Sequence, residues 1–256
     1  MILDYLKYLF RAGNEHSLHS PFLFEFYLKV LKDSAPQNDY LQIEALRKKL
    51  LADEREIAIT DFGAGSKLNQ SNKRKVKDIA KNSQKSARLA QLFYRIIKYY
   101  NYQTILDLGT SLGVTTAYLA KANPQAKVYT FEGCPNTAHL ATENFKDLGI
   151  GNIETIVGDL NQTLAQQLNK IDKIDFAFFD ANHRYEPTID YFEKCLSKIH
   201  DDTCFIFDDI YWSEDMKKAW NYIKNHEQVV VTIDIFLVGI VFFRMKQPKQ
   251  HFVLRF

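Results

Sequence analysis

Carboxylates stand at the ends of five apolar runs in this chain of 256 residues. The runs are Ile105-Leu106-Asp107, Tyr129-Thr130-Phe131-Glu132, Ile156-Val157-Gly158-Asp159, Phe178-Phe179-Asp180 and Phe205-Ile206-Phe207-Asp208, the last doubled by Asp209. Acids in such places have two chemical uses: they accept hydrogen bonds from ligand hydroxyls, or they hold a hard divalent cation. Asp180, Asp208 and Asp209 fit the second use, because three acids brought to one edge repel unless protons or a cation intervene. His183, three positions beyond Asp180, is placed to collect the proton of a hydroxyl that such a cation acidifies. The first acid opens Asp107-Leu108-Gly109-Thr110-Ser111-Leu112-Gly113, which leads at once into the helical stretch Val114 to Ala122. A dinucleotide loop needs glycines at 109, 111 and 114; Ser111 and Val114 stand at two of those positions, which disfavours NAD. Two glycines still let backbone approach a ligand, and open N–H groups there suit a single carboxylate, with Thr115 adding a hydroxyl donor. Glu132 suits the two hydroxyls of a ribose, and Asp159 would flank an adenine.

Positioning these acids requires an alternation of strands and helices. The pattern predicts strands over 104–108, 127–132, 153–158, 174–180 and 203–208, and helices over 113–122, 136–148, 161–169, 187–199 and 213–225, with Ser213 capping the last. Short apolar runs alternating with helices read as a parallel sheet whose ligands bind beyond the carboxyl ends of the strands. Val229 to Phe236 and Val238 to Met245 form a terminal hairpin about Leu237, leaving one strand antiparallel. Upstream, helical spacing recurs over 2–12, 22–32 and 40–52, with Asp39 as cap of the third, and again from Asn72 to Tyr100. This divides the chain into a helical region over 1–100, expected to serve as a lid or cap, and an α/β domain over 101–256.

The segment from about 101 to 244 resembles the class I S-adenosylmethionine-dependent methyltransferases, carried by the glycine loop, Glu132 as the ribose acid, and the further strand-end acids in register. The resemblance implies a Rossmann-like, seven-stranded sheet with an antiparallel terminal strand. It also implies S-adenosylmethionine as cofactor, bound by Asp107, Gly109, Ser111, Gly113, Thr115, Glu132 and Asp159. The pair of motifs Asp180-Ala181-Asn182-His183 and Asp208-Asp209 is similar to the metal-dependent O-methyltransferases of the catechol and caffeoyl-coenzyme A type, which end these strands in Asp-x-x-Lys and Asp-Asn. It is similar also to bacterial methyltransferases with Asp-Gly-x-His. Here His183 replaces the lysine and Asp209 the asparagine. An imidazole can take a proton near neutral pH, and a carboxylate offers a further hard oxygen, so the chemistry survives both changes. The expectation is O-methylation of a small hydroxylated acceptor, with Asp180, Asp208 and Asp209 holding Mg²⁺ and His183 and Asp180 catalytic. The alternatives are a nucleic-acid or nitrogen acceptor without metal, and a cofactor-binding domain without catalysis.

Other features bound the reading. Net charge is +2 and the composition, 46% hydrophobic and 25% charged, is that of an ordinary globular chain. Lys73, Lys77, Lys81, Lys85 and Arg88 would form a basic stripe on one helix, the one route to nucleic acid. A homodimer is compatible with the chain. Asp61-Phe62-Gly63-Ala64-Gly65-Ser66 imitates a cofactor loop, yet no strand or ribose acid follows at the needed spacing, so it reads as a turn joining helical segments. His16 and His19 lack a companion acid or cysteine at a known zinc spacing and read as capping or packing. Arg184, Tyr185 and Trp212 follow strand ends and could line a pocket or pack. Cys134, Cys195 and Cys204 are too few for a disulfide framework, and the start of the chain lacks a signal-peptide pattern, so the cytoplasm is expected, with no membrane partner.

Overall fold

The computed structural model describes residues 2–60, 73–244 and 246–256. In chain order its elements are helices α1 (Ile2–Arg11), α2 (Pro21–Phe26) and α3 (Asn38–Leu51), strands β1 (Glu56–Ala58) and β2 (Lys73–Lys75), and helices α4 (Val76–Ser83) and α5 (Ala87–Tyr100). The alternation follows: β3 (Thr104–Leu108), α6 (Val114–Ala122), β4 (Lys127–Glu132), α7 (Pro135–Asp147), β5 (Ile153–Val157), α8 (Leu160–Leu168), β6 (Phe176–Phe179), α9 (Tyr185–Leu196), β7 (Cys204–Asp208) and α10 (Glu214–Asn225). Strands β8 (Val231–Asp234), β9 (Val238–Phe242) and β10 (Gln250–Val253) end it. The chain divides into two compact units, Ser34–Gln167 and Met1–Asp33 with Leu168–Phe256. The region over 1–100 thus contributes α1 and α2 to one unit and α3 to α5 to the other.

In the unit Ser34–Gln167, β4 lies between β3 and β5 and pairs in parallel with both. Ile105, Leu106 and Leu108 of β3 are fully buried, and α6 is buried along nearly all its length. A helix apolar on every side belongs inside a structure, and α6 packs on α3 and α5 as well as on β4. Strands β1 and β2 form a separate antiparallel pair, Glu56 facing Lys75 and Ala58 facing Lys73.

In the other unit β6 and β7 are parallel, β9 is antiparallel to both β7 and β8, and β10 runs parallel to β8. Every residue of β6, β7, β8 and β9 is buried, which is why these strands read as continuous apolar runs. Gly239 of β9 is required by close approach, since a Cβ there would meet the Trp220 ring at 2.5 Å. Helix α1 is tied down by the Tyr8 hydroxyl, which donates to the Leu254 carbonyl at 2.7 Å, and by an Asp4–Lys217 ion pair at 3.0 Å.

This is the expected α/β, Rossmann-like fold, with β9 as the antiparallel terminal strand. Several local expectations need correction. Eight strands take part rather than seven; the additional one is β10, whose Gln250-His251-Phe252-Val253 is too short and polar to stand out as a strand. Helix α2 passes into a π-helical turn at Tyr27–Leu31, so 22–32 is not one regular helix. Asp39 lies in the first turn of α3 rather than at its cap and accepts from the Tyr94 hydroxyl at 2.9 Å, while Ser213 does cap α10, accepting from the Met216 N–H. The basic stripe is dispersed: Lys73 is in β2, Lys77 and Lys81 in α4, Lys85 between helices and Arg88 in α5. Lys75 and Lys77 both pair with Glu54. The look-alike loop at 61–66 lies outside the described residues, but the elements on either side of it are strands, not helices. Among the described residues no helix is long and apolar enough to cross a membrane.

Candidate active site

The glycine loop after β3 is held by a buried polar network. Asp107 lies inside β3, fully buried, and its Oδ2 accepts from the Thr116 hydroxyl of α6 at 2.6 Å and the Thr130 hydroxyl of β4 at 2.8 Å. Thr130 is in turn 2.6 Å from the Thr110 hydroxyl, so one carboxylate fixes both ends of the loop. Gly113 has φ +80° and a Cβ there would meet the Phe145 ring at 2.5 Å, so both the turn and the approach of α7 need glycine. From α7, Asn144 donates to the Leu112 carbonyl at 2.9 Å.

Glu132 closes β4 beside this loop. Its Oε2 accepts from the Ser111 N–H at 2.8 Å and its Oε1 from the Cys134 N–H at 2.9 Å, which sets the carboxylate against the loop. One expectation changes here. The loop does not offer a row of open N–H groups: those of Gly109 and Thr110 donate to the Phe131 carbonyl, that of Ser111 to Glu132 and that of Gly113 to the Thr110 carbonyl. Beyond the loop, the first turn of α6 begins at Val114 and includes the buried Thr115, and the N–H groups of a helix start have no partner within the helix itself. Asp159 immediately precedes α8 and accepts from the Asn161 N–H and side-chain amide, at 3.0 and 2.8 Å. Upstream, Ser83 at the end of α4 places its Oγ 2.7 Å from the Ser111 Oγ, a loop contact that no motif signals.

In the other unit, β6 and β7 lie in parallel and bring their ends together. One ligand atom each of Asp180, His183 and Asp208 lies within 4.8 Å of the others, with His183 Nε2 3.4 Å from Asp180 Oδ1. Asp208 is buried and Asp180 nearly so, the latter side chain 11% exposed. Asp209, the third acid expected there, is not among the converging groups. β7 ends at Asp208, and Asp209 follows in the left-handed region with its N–H donating to the Leu237 carbonyl, so it belongs to the turn and not to the strand. His183, expected as a base, stands in its place.

The turn that makes this possible is strained. Asn182 and His183 have φ of 69° and 36°, and Asp209 and Ser111 have 54° and 48°. Four of the six non-glycine residues of positive φ among the described residues therefore sit at these strand ends. Such backbone is retained where the surroundings demand a particular side-chain placement, and it clusters at functional sites. The Asn182 Oδ1 is buried and has no hydrogen-bond donor among the described residues. Asparagine tolerates the left-handed region, so Asn182 before His183 was the legible sign of this turn. Arg184 and Trp212 are exposed, and Tyr185 begins α9. Neither His16 nor His19 joins a metal-ligating group among the described residues, and the Asn14 side chain accepts from the His16 N–H in a local cap.

Residues 106–210 match the family model described as a methyltransferase domain. A tRNA (guanine-N(7)-)-methyltransferase of Mycoplasma mobile is 32% identical over 103 residues, covering 37% of this chain and 51% of that protein. The O-methyltransferase imqG of Aspergillus flavus is 29% identical over 126 residues, covering 47% and 50%. The chain thus spans about half the length of the curated relatives it matches. Among solved structures, the S-adenosylhomocysteine-bound methyltransferase PaMTH1 of Podospora anserina has the same fold at a TM-score of 0.60 and 13% identity, over 88% of this chain and 97% of that one. Residues 106–210 are thus similar to a methyltransferase domain, and they lie within a fold shared with solved methyltransferases.

Proposed function

We propose that the protein transfers the methyl group of S-adenosylmethionine to an oxygen of a small hydroxylated acceptor, assisted by a divalent cation. The observation that carries this reading is the convergence of Asp180, His183 and Asp208 at the ends of two neighbouring strands. Two carboxylates with a buried, unmatched amide oxygen at Asn182 suit a hard dication such as Mg²⁺, which commonly takes one or two carboxylates and completes its shell with water. When bound, such an ion lowers the pKa of a coordinated hydroxyl and orients it. Asp180 and Asp208 would hold the ion, His183 would receive the proton at Nε2, and Glu132 would anchor the cofactor ribose. Within Ser34–Gln167, the Ser83–Ser111 contact supports a role for the helical region before residue 101 at the cofactor loop. The three cysteines are buried thiols, which fits a reducing compartment such as the cytoplasm. The stripe residues lie on several elements instead of one helix, and Lys77 pairs with Glu54, which supports a small acceptor over nucleic acid.

The test is turnover of labelled S-adenosylmethionine against a panel of phenols, sugars and RNA, in chelator and after readdition of Mg²⁺. Chelator should abolish methylation of hydroxyl acceptors and Mg²⁺ restore it, with Asp208→Asn lowering turnover by about 100-fold or more. His183→Ala should lower kcat while leaving metal affinity intact; loss of metal affinity would make His183 a ligand instead of a base. Full activity in chelator would remove the metal from the mechanism.

A further inference from the structure

Helix α1 packs on its own unit through one side only. Tyr8 is buried, the rings of Tyr5 and Tyr8 lie 4.9 and 5.4 Å from that of Phe236, and Asp4 pairs with Lys217. At about 100° per residue, Leu6 and Phe10 leave the helix roughly 160° from Tyr8, with Ile2 and Leu3 on either side of them. All four are exposed, Phe10 by 98% and Ile2 by 79%. Lys7 and Arg11, also exposed, border this strip on the side of Leu3. The one carboxylate of α1, Asp4, lies beyond Arg11 and is turned inward to Lys217, so the outer side of the helix is apolar with a purely basic border. Exposed apolar surface continues beside it. Tyr211 stacks on the same Phe236 ring at 5.2 Å, and Trp212 and Leu237, which directly follow these two residues, are exposed as well.

Large apolar side chains grouped on an outer face mark a surface that is covered in use. Charge decides what covers this one. A second copy of the chain would bring the same basic border and no outward carboxylate on α1, so Lys7 and Arg11 would meet like charge. A bilayer with anionic headgroups answers both parts of the surface: apolar side chains enter the boundary between headgroups and acyl chains, and lysine and arginine reach back to the phosphates. Tryptophan favours the same depth, which suits the exposed Trp212. We infer that α1 docks the protein on an anionic membrane surface, lying in its plane with Ile2, Leu3, Leu6 and Phe10 inserted and Lys7 and Arg11 among the headgroups. The sequence alone led to the expectation of no membrane partner. Among the described residues no helix can cross a bilayer, but a helix that lies on one needs only a single apolar side, and the opposite side of α1 stays anchored through Tyr8 and Asp4.

The test is flotation of the full chain with vesicles of phosphatidylcholine alone and of phosphatidylcholine mixed with phosphatidylserine. The unaltered chain should float with the mixed vesicles and less with the neutral ones, and added salt should narrow the difference. Phe10→Ser should weaken binding to mixed vesicles by about tenfold or more, through loss of inserted apolar area. Lys7→Gln should weaken it about fivefold while leaving binding to neutral vesicles within about twofold. Both side chains face water in the structure, so the thermal melting of each variant should match that of the unaltered chain. No flotation of the unaltered chain with mixed vesicles, or equal flotation of Phe10→Ser, would overturn the assignment. So would sedimentation in free solution that shows a concentration-dependent dimer lost in Phe10→Ser, which would make the outer side of α1 a contact between copies.

Discussion

Gly113 concentrates the demands of the glycine loop at one residue. Its φ of +80° lies where a Cβ is strained, and the Phe145 ring fills the space a side chain would take. The left-handed conformation costs a non-glycine residue roughly 1–2 kcal/mol, and forcing a methyl against a packed ring costs roughly 1–3 kcal/mol more. Gly113→Ala should therefore destabilise the protein by about 2–5 kcal/mol in denaturant unfolding. Adding Phe145→Leu should recover the packing part and leave the backbone part. Recovery of the whole loss would mean that the turn is not strained. Asp107 belongs to the same scale of argument. It stands where a cofactor ligand is expected, but its Oδ2 is held by Thr116 and Thr130, so its first effect is to set the loop. The residue type was legible in the sequence; its partners, distant in the chain, were not.

Among the elements, β10 shows how a short polar strand can be tied in by a titrating side chain. His251 Nδ1 lies 2.8 Å from the Thr232 hydroxyl of β8, and burial lowers its pKa from 6.5, helped by the nearby charges of Lys224 and Lys249. A histidine held neutral in the fold binds a proton more readily when unfolded, so its contribution to stability is full above 6.5 and is lost as pH falls below that value toward the lower folded one. Thermal melting should therefore decline between neutral and mildly acidic pH, and His251→Gln should flatten that part of the profile. An unchanged acid slope in the variant would place the titration elsewhere. The long elements were readable from periodicity: β3 and β4 match their expected spans, and α6 follows the glycine loop directly. Elements such as β2, β10 and the π-helical turn after α2 were not, because each is too short for a repeating pattern and exists through its neighbours.

For the molecule as a whole, the two groups of site residues belong to different compact units, and their ligands should be separable by hydrogen exchange. S-adenosylhomocysteine alone should slow exchange over 109–116 and 132–134, where the loop, the start of α6 and Glu132 lie. Mg²⁺ alone should slow it over 180–183 and 208–209, where the converging side chains and their strained turns lie. Protection confined to other segments would count against the cofactor and metal assignments together. The sequence alone determined the order of strands and helices, the glycine loop and the strand-end acids, because periodicity, turn residues and motif spacing are local properties of the chain. Tertiary structure alone decided that His183 rather than Asp209 joins Asp180 and Asp208, and that the N–H groups of 109, 110, 111 and 113 are already engaged. Those facts depend on the course of the turns after β6 and β7 and on pairings between elements far apart in the chain. Neither is encoded in any one stretch of residues.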